Sequence, residues 1–407
     1  MGWAASTILR HEDVSLMSLT RVGETIMHSG HHHLDSGMPS LPRRSLLAAC
    51  LSAGAMPNSA WADADLSGPA LNARARRKGL FFGSAVSDEH LKGDPALLAR
   101  IDAETGIVVG EASFKWADLH PEAERYDFAR ADALLEWANS KHIRVRGHTL
   151  VWHEGNPDWL EPALTAGNAE KLLTGHIKTV ASHFAGKLQH WDVVNEVLQP
   201  DDKQPFALRQ SLWLKALGPS YIDIAFHATE AADSKALRVI NEFGTDYALD
   251  WQERRRGAML ALLADLLRRG VPVQAVGLQA HLDAGETTLD QKILNRFIGD
   301  ISAMGLKIIV TELDVRDQRL PADVPSRDTA VADHARAWLD AVLPNPAVLG
   351  VLSWGLSDRR SWLNDKFARP DKLPQRALPL DVDLNRKKLW AAIAGAIDAA
   401  PSRPAST

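Results

Sequence analysis

From about residue 78 the chain keeps one rhythm: a short β-branched apolar run, a loop, then a helical pattern, eight times over. The strand candidates are LFFGSAV (80–86), GIVVGEASF (106–114), IRVRGHTLVW (143–152) and HWDVVNE (190–196). Four more follow: LRVINEF (237–243), VQAVGLQAHL (273–282), LKIIVTELDV (306–315) and VLGVLSWGL (348–356). Between them lie helical stretches such as FARADALLEWANSK and RRRGAMLALLADLLRR. The latter gathers Met259, Leu262, Leu263 and Leu266 on one face, and its arginines read as a solvated surface. Eight strands alternating with helices over roughly 320 residues predict a closed parallel (β/α)8 barrel forming one domain. Two doubly wound domains are the alternative, but no glycine-rich phosphate loop follows the first strand. No linker rich in Pro, Gly or Ser divides the region.

Composition narrows the partners. The 407 residues are 45% hydrophobic and 24% charged, ordinary for a soluble globular protein, and the net charge of −5 gives no reason to expect nucleic acid. No apolar run reaches the roughly 18 residues of a membrane span, so no membrane anchor is expected. A monomer without cofactor is the simplest expectation.

The N-terminal segment departs from this average. MPSLPRRSLLAACLSAGAMPNSAWADA carries Arg43 and Arg44, then a mildly apolar stretch, then Ala60-Trp61-Ala62. That order of charge, apolar run and small-x-small box predicts an export signal over 38–62, cleaved after Ala62. The adjacent arginines suit the twin-arginine route to the periplasm or the exterior. Cys50, the only cysteine, lies inside this segment, so the mature chain has no disulfide to rely on. LAAC is too close to Arg44 to serve as a lipoprotein box. Residues 1–37 show no helical or strand pattern, and Met38 is the expected start, with His31 to His33 incidental. A catalytic domain over 63–400 and a flexible tail over 401–407 complete the division.

In such a barrel the C-terminal ends of the strands form the floor of the active site. Those positions hold Glu111 and Lys115, His148 and Trp152, Asn195 and Glu196, then Asn241 and Glu242. Gln279 and His281, Glu312 and Asp314, and Trp354 complete the ring. Strand ends must meet water somewhere, which explains one or two polar residues but not seven strands in succession. Two carboxylates ringed by amide, imidazole and indole groups describe a sugar-cleaving site. Indoles offer flat apolar faces to pyranose rings, and Asn, Gln, His and Lys bond hydroxyls. Metal-dependent hydrolysis through His148, His153 and His281 is the rival, but no HxH or HExxH spacing occurs and no metal is expected. No GxSxG elbow supports a serine nucleophile.

The motifs RGHTLVWH (146–153), WDVVNE (191–196), QAHL (279–282), TELDV (311–315) and SWGLSDRRSWL (353–363) together resemble glycoside hydrolase family 10. The resemblance spans about residues 75–398 and implies a retaining endo-β-1,4-xylanase acting on xylan and xylo-oligosaccharides. It makes Glu196 the general acid/base and Glu312 the nucleophile. Asn195 would bond the sugar's 2-hydroxyl, and His281, supported by Asp314, would hold Glu312 ionised. Lys115, His148, Gln279, Trp152, Trp354 and Trp362 would surround the two sugars on the non-reducing side, with Glu111 at the second of them. Two nearby carboxylates repel, so one is expected to keep its proton to higher pH.

Two departures stand out. Ala112 occupies a position where the family usually has asparagine, and NEFGTDY (241–247) replaces the commoner Asn-Asp-Tyr-Asn pattern. Both bear on distal sugars, not on bond cleavage. Two rival functions remain at this level: a catalytically silent polysaccharide-binding barrel, and a hydrolase of another β-1,4-glycan such as glucan or mannan. The presence of both glutamates with His281 and Asn195 weighs against the first, and the residues around the first sugar against the second.

Overall fold

The computed structural model describes residues 66–404 except Thr287, all within one compact unit, Met56–Thr407. The export segment, Cys50 and His31 to His33 lie outside the described residues. The strands are β1 (Phe81–Val86), β2 (Ile107–Gly110), β3 (Arg144–Gly147), β4 (His190–Asn195) and β5 (Leu237–Glu242). They continue with β6 (Ala275–Leu278), β7 (His281–Asp283), β8 (Lys307–Arg316) and β9 (Val348–Ser353). Every pairing between them is parallel. β1 joins β9, β9 joins β8, and β8 joins β6, so the sheet closes on itself. The three-residue β7 pairs only with β8 and prolongs the line of β6. The result is the eight-stranded (β/α)8 barrel expected from the rhythm.

Inside the barrel Phe81, Ala85, Ile107, Val109, Val239, Ala275, Ile309 and Leu352 form their own cluster. Side chains alternate along a strand, so this inner set leaves the intervening residues to face the helices. The helix Asp250–Arg268 buries Met259, Leu262, Leu263 and Leu266, the face its sequence predicts. Each such side chain contributes about 1.5–3 kcal/mol when fully buried. The helix Ala129–Ser140 does the same with Ala131, Leu134, Leu135 and Ala138. Arg255 and Arg256, expected on a solvated surface, are buried too, because they bond Glu242 and the carbonyls of the loop after β5.

Several strands are shorter than their apolar runs. The third ends at Gly147, although the pattern continues to Trp152. Leu150 and Val151 are buried against the end of β4 instead, where Val151 bridges to Val194. The sixth run breaks at Gln279-Ala280, where Ala280 takes a φ of 60°. That left-handed turn is unusual for a residue with a Cβ, and it separates β6 from β7. Glu111 and Lys115 lie beyond the end of β2, in the loop leading to the short helix Trp116–Leu119.

Candidate active site

The ends of β4, β5, β6 and β8 are tied by successive backbone bonds. The Glu196 N–H donates to Asn241 O at 2.9 Å, Gln279 N–H to Glu242 O at 2.9 Å, and Glu312 N–H to Gln279 O at 3.0 Å. Glu196, the first residue past β4, has a φ of 55°. A glutamate gains nothing intrinsic from that conformation, and backbone strain of this kind gathers at functional sites.

Two donors hold the Glu196 carboxylate. Trp152 Nε1 donates to Oε2 at 2.9 Å and Gln279 Nε2 to Oε1 at 3.0 Å. Trp152 arrives there because Val151 pairs with Val194, two residues before Glu196. His153 Nδ1 lies 3.8 Å from the same Oε2.

Glu312 sits in a deeper setting. Asn241 Nδ2 donates to its Oε1 at 2.7 Å and also meets Asn195 Oδ1 at 2.8 Å. Thr311 Oγ1 fixes the amide by donating to Asn241 Oδ1 at 2.8 Å. Gly277 makes this possible, because a Cβ there would fall 2.2 Å from Asn241 Oδ1. On the other side His281 Nε2 lies 3.2 Å from Glu312 Oε2, and its Nδ1 lies 2.9 Å from Asp314 Oδ1. Trp362 Nε1 donates to the remaining oxygen, Asp314 Oδ2, at 2.7 Å.

Burial alone pushes the Glu312 carboxyl up. The hydrogen bond to His281, with the charges of His148, His281 and Arg146, outweighs it and holds the group at about 2. Burial likewise lowers His281, but Asp314 and then Glu312 raise it to about 10. At neutral pH the imidazole is therefore a cation between two carboxylates, donating to both. Glu312 is thus held ionised.

The remaining expected residues border this pair. His148 Nδ1 is 2.8 Å from Asp192 Oδ2, and the buried Arg146 also pairs with Asp192. Trp354 meets the rings of His148 and His281 edge-on, with centroids 5.4 Å and 6.4 Å away. Lys115 Nζ stands 4.8 Å over the Trp152 ring. Burial lowers its pKa, and the charges of Glu312, Glu196, Glu111 and Glu154 offset part of that effect. Asn195 Nδ2 is buried without an acceptor among the described residues, while its Oδ1 accepts from Asn241. An amide donor left over beside two carboxylates suits a ligand hydroxyl.

Asn241, one of the strand-end residues, proves to be a partner of Glu312, a contact its position in the sequence does not show. Its neighbour Glu242 turns away, accepting from Arg255 Nη2 at 2.5 Å and from Leu198 N–H at 2.7 Å. Asp192 and Arg146 form a second addition beneath His148. Opposite charges at 146 and 192, within two runs read as neighbouring strands, are the sequence signal for that pair.

The model of glycosyl hydrolase family 10 matches residues 70–396. Endo-1,4-beta-xylanase B of Thermotoga neapolitana is 32% identical over 293 residues, 71% of this chain and 80% of that protein. Endo-1,4-beta-xylanase A of Phanerodontia chrysosporium is 30% identical over 328 residues, 80% of this chain and 76% of that protein. The crystal structure of native xylanase 10B from Thermotoga maritima superposes with a TM-score of 0.74 at 30% identity. It covers 81% of this chain and 98% of its own. The chain belongs to glycosyl hydrolase family 10, whose members are retaining hydrolases working through two glutamates.

Proposed function

We infer that the protein cleaves internal β-1,4-xylosidic bonds of xylan by double displacement, with Glu312 as nucleophile and Glu196 as acid/base. The observation that carries this reading is the asymmetry of the two carboxylates. Glu312 is buried and held ionised by the His281 cation, as a nucleophile requires. Glu196 lies between two neutral donors, Trp152 and Gln279, where it can exchange a proton with a leaving oxygen.

The steps follow from these environments. Glu312 attacks the anomeric carbon while Glu196 gives its proton to the departing oxygen, leaving a glycosyl ester on Glu312. Glu196, now a carboxylate, takes a proton from water as that water attacks the same carbon, and Glu312 leaves as the carboxylate. Asn195 Nδ2 is the donor for the 2-hydroxyl, where a hydrogen bond strengthens as the oxocarbenium-like state forms. Lys115, His148, Trp354 and Trp362 support the sugars on the non-reducing side, with Glu111 further out. The test is reducing-sugar release from xylan, carboxymethylcellulose and mannan, with the anomer formed first followed by NMR. Preferred release from xylan with a β-anomer first is expected. An α-anomer first, or equal release from all three, would overturn the reading.

We also infer export by the twin-arginine route, supported by Arg43-Arg44 before a weakly apolar stretch. Among the described residues no helix is long and apolar enough to cross a membrane. Changing both arginines to lysine keeps the charge and is expected to trap uncleaved protein in the cytoplasm of a bacterial host. Unchanged secretion of the double variant would rule that route out.

A further inference from the structure

Two aromatic side chains, Phe206 and Trp251, stand among the exposed large apolar residues, at 49% and 40% exposure. Both belong to segments that leave the barrel mouth beside Glu196. The loop bearing Phe206 starts at Glu196 itself and folds back on its own base, with Leu198 bridging to Leu208 and Arg209 N–H donating to Val197 O. Arg209 Nε then bonds the Glu196 carbonyl at 2.9 Å. Trp251 stands in the first turn of the helix Asp250–Arg268, which follows β5.

The two segments are locked together. Arg254, three residues after Trp251 and so on its side of the helix, pairs with Asp201 at 2.9 Å. Arg255 donates to Leu198 O at 2.8 Å and to Phe243 O at 3.1 Å. The turn Pro205–Ala207 packs against the same helix. Phe206 and Trp251 therefore share one rim of the mouth, on the Glu196 side.

The Trp251 side chain is also held in place. The Trp251 indole lies over Gly244, where a Cβ would fall 2.5 Å from its ring. One face is thus braced on the backbone and the rest remains in solvent. Phe206 has φ 58° and ψ 21°, with Ala207 and Lys203 at φ 55°. A bulky side chain in the left-handed region is costly, and here the strained residue also leaves an apolar ring half exposed to water.

We propose that Phe206 and Trp251 form a distal platform for the leaving-group end of a xylan chain, beyond the sugar that Glu196 protonates. The proposal rests on the acid/base role of Glu196. The group that protonates the departing oxygen stands on the leaving-group side of the bond, and the Phe206 loop continues from it outward. Flat aromatic faces, one of them braced on Gly244 and flanked by the Arg254–Asp201 pair, match a pyranose chain, which presents apolar ring faces and hydroxyl edges. A long substrate would meet this surface, whereas one whose leaving group is a single aryl ring would not.

The experiment compares kcat/KM on xylohexaose and on an aryl β-xylobioside for the wild-type protein, Phe206→Ala, Trp251→Ala and Trp251→Phe. Both alanine variants are expected to lose about two- to tenfold on xylohexaose. Wild-type rates should persist on the aryl substrate, which also reports that the variants fold. Trp251→Phe keeps a flat face and should recover most of the loss. Unchanged xylohexaose kinetics in both alanine variants overturn the platform alone. So does a change in sedimentation without a change in kinetics, which would make this face a contact between two copies. Failure of the wild-type protein to cleave either substrate overturns the hydrolase reading beneath it.

Discussion

His281 Nε2 lies 3.2 Å from Glu312 Oε2, and this contact couples the charge of the glutamate to that of the imidazole. Asp314, 2.9 Å from the other ring nitrogen, keeps His281 protonated. The three residues act as one unit in which a cation is shared between two buried carboxylates.

This coupling gives a definite pH signature. Glu312 titrates at about 2, below its ordinary 4.5. Its stabilising contribution is complete above 4.5 and is lost as pH falls towards about 2. His281 titrates at about 10, above its ordinary 6.5. Its contribution is complete below 6.5 and is lost as pH rises through about 10. The joint contribution is therefore greatest between about 4.5 and 6.5. His281→Gln should destabilise the protein most in that window, as read by denaturant unfolding across pH. It should also move the acid limb of kcat/KM upward, because Glu312 loses its cation. A hydrogen bond to a charged group is worth about 1.5–3 kcal/mol, so kcat/KM should fall about ten- to a hundredfold. Superimposable profiles for variant and wild type would contradict the coupling.

Asn241 joins Asn195 to Glu312 through a single amide nitrogen. Asn241→Ala leaves buried acceptors without their donor and should cost about 1–3 kcal/mol in unfolding free energy. Asn241→Asp places a second carboxylate beside Glu312, and repulsion should raise the Glu312 pKa by about one unit or more. The acid limb of kcat/KM reports this shift. An aspartate variant with the wild-type profile would show that residue 241 does not sense the nucleophile's charge.

How far the sequence foretells this site depends on the kind of contact. The barrel was legible because its alternation of apolar runs and helices repeats locally, and the floor residues follow from position at strand ends. Strand limits were not. Leu150 and Val151 are apolar because they pack against the end of β4, and a run of apolar residues does not distinguish that from sheet. The break at Ala280 is equally silent, since only its backbone angle marks it. Trp152 reads as a sugar platform, yet its indole N–H is engaged with Glu196 at 2.9 Å. Asn241 was visible as a strand-end amide, but its bond to Glu312, 71 residues away, exists only once β5 and β8 share a barrel.

The division of labour between the glutamates predicts different behaviour on removal. Glu196→Ala should still form the glycosyl-enzyme from xylosides whose leaving group needs no proton. Azide should then accelerate turnover by replacing the water that Glu196 activates, giving a β-xylosyl azide. An α-configured azide, or no response to azide, would contradict the assignment of Glu196.

The most direct measurement is to trap the covalent intermediate. A 2-deoxy-2-fluoro xylobioside with a reactive leaving group slows breakdown of the glycosyl-enzyme more than its formation, because fluorine disfavours the oxocarbenium-like state and the leaving group drives the first step. Mass spectrometry of the inactivated, proteolysed protein should find one fluoro-xylobiosyl group, on the peptide containing Glu312 and on that side chain. A label on Glu196, or inactivation without any covalent adduct, would contradict Glu312 as the nucleophile.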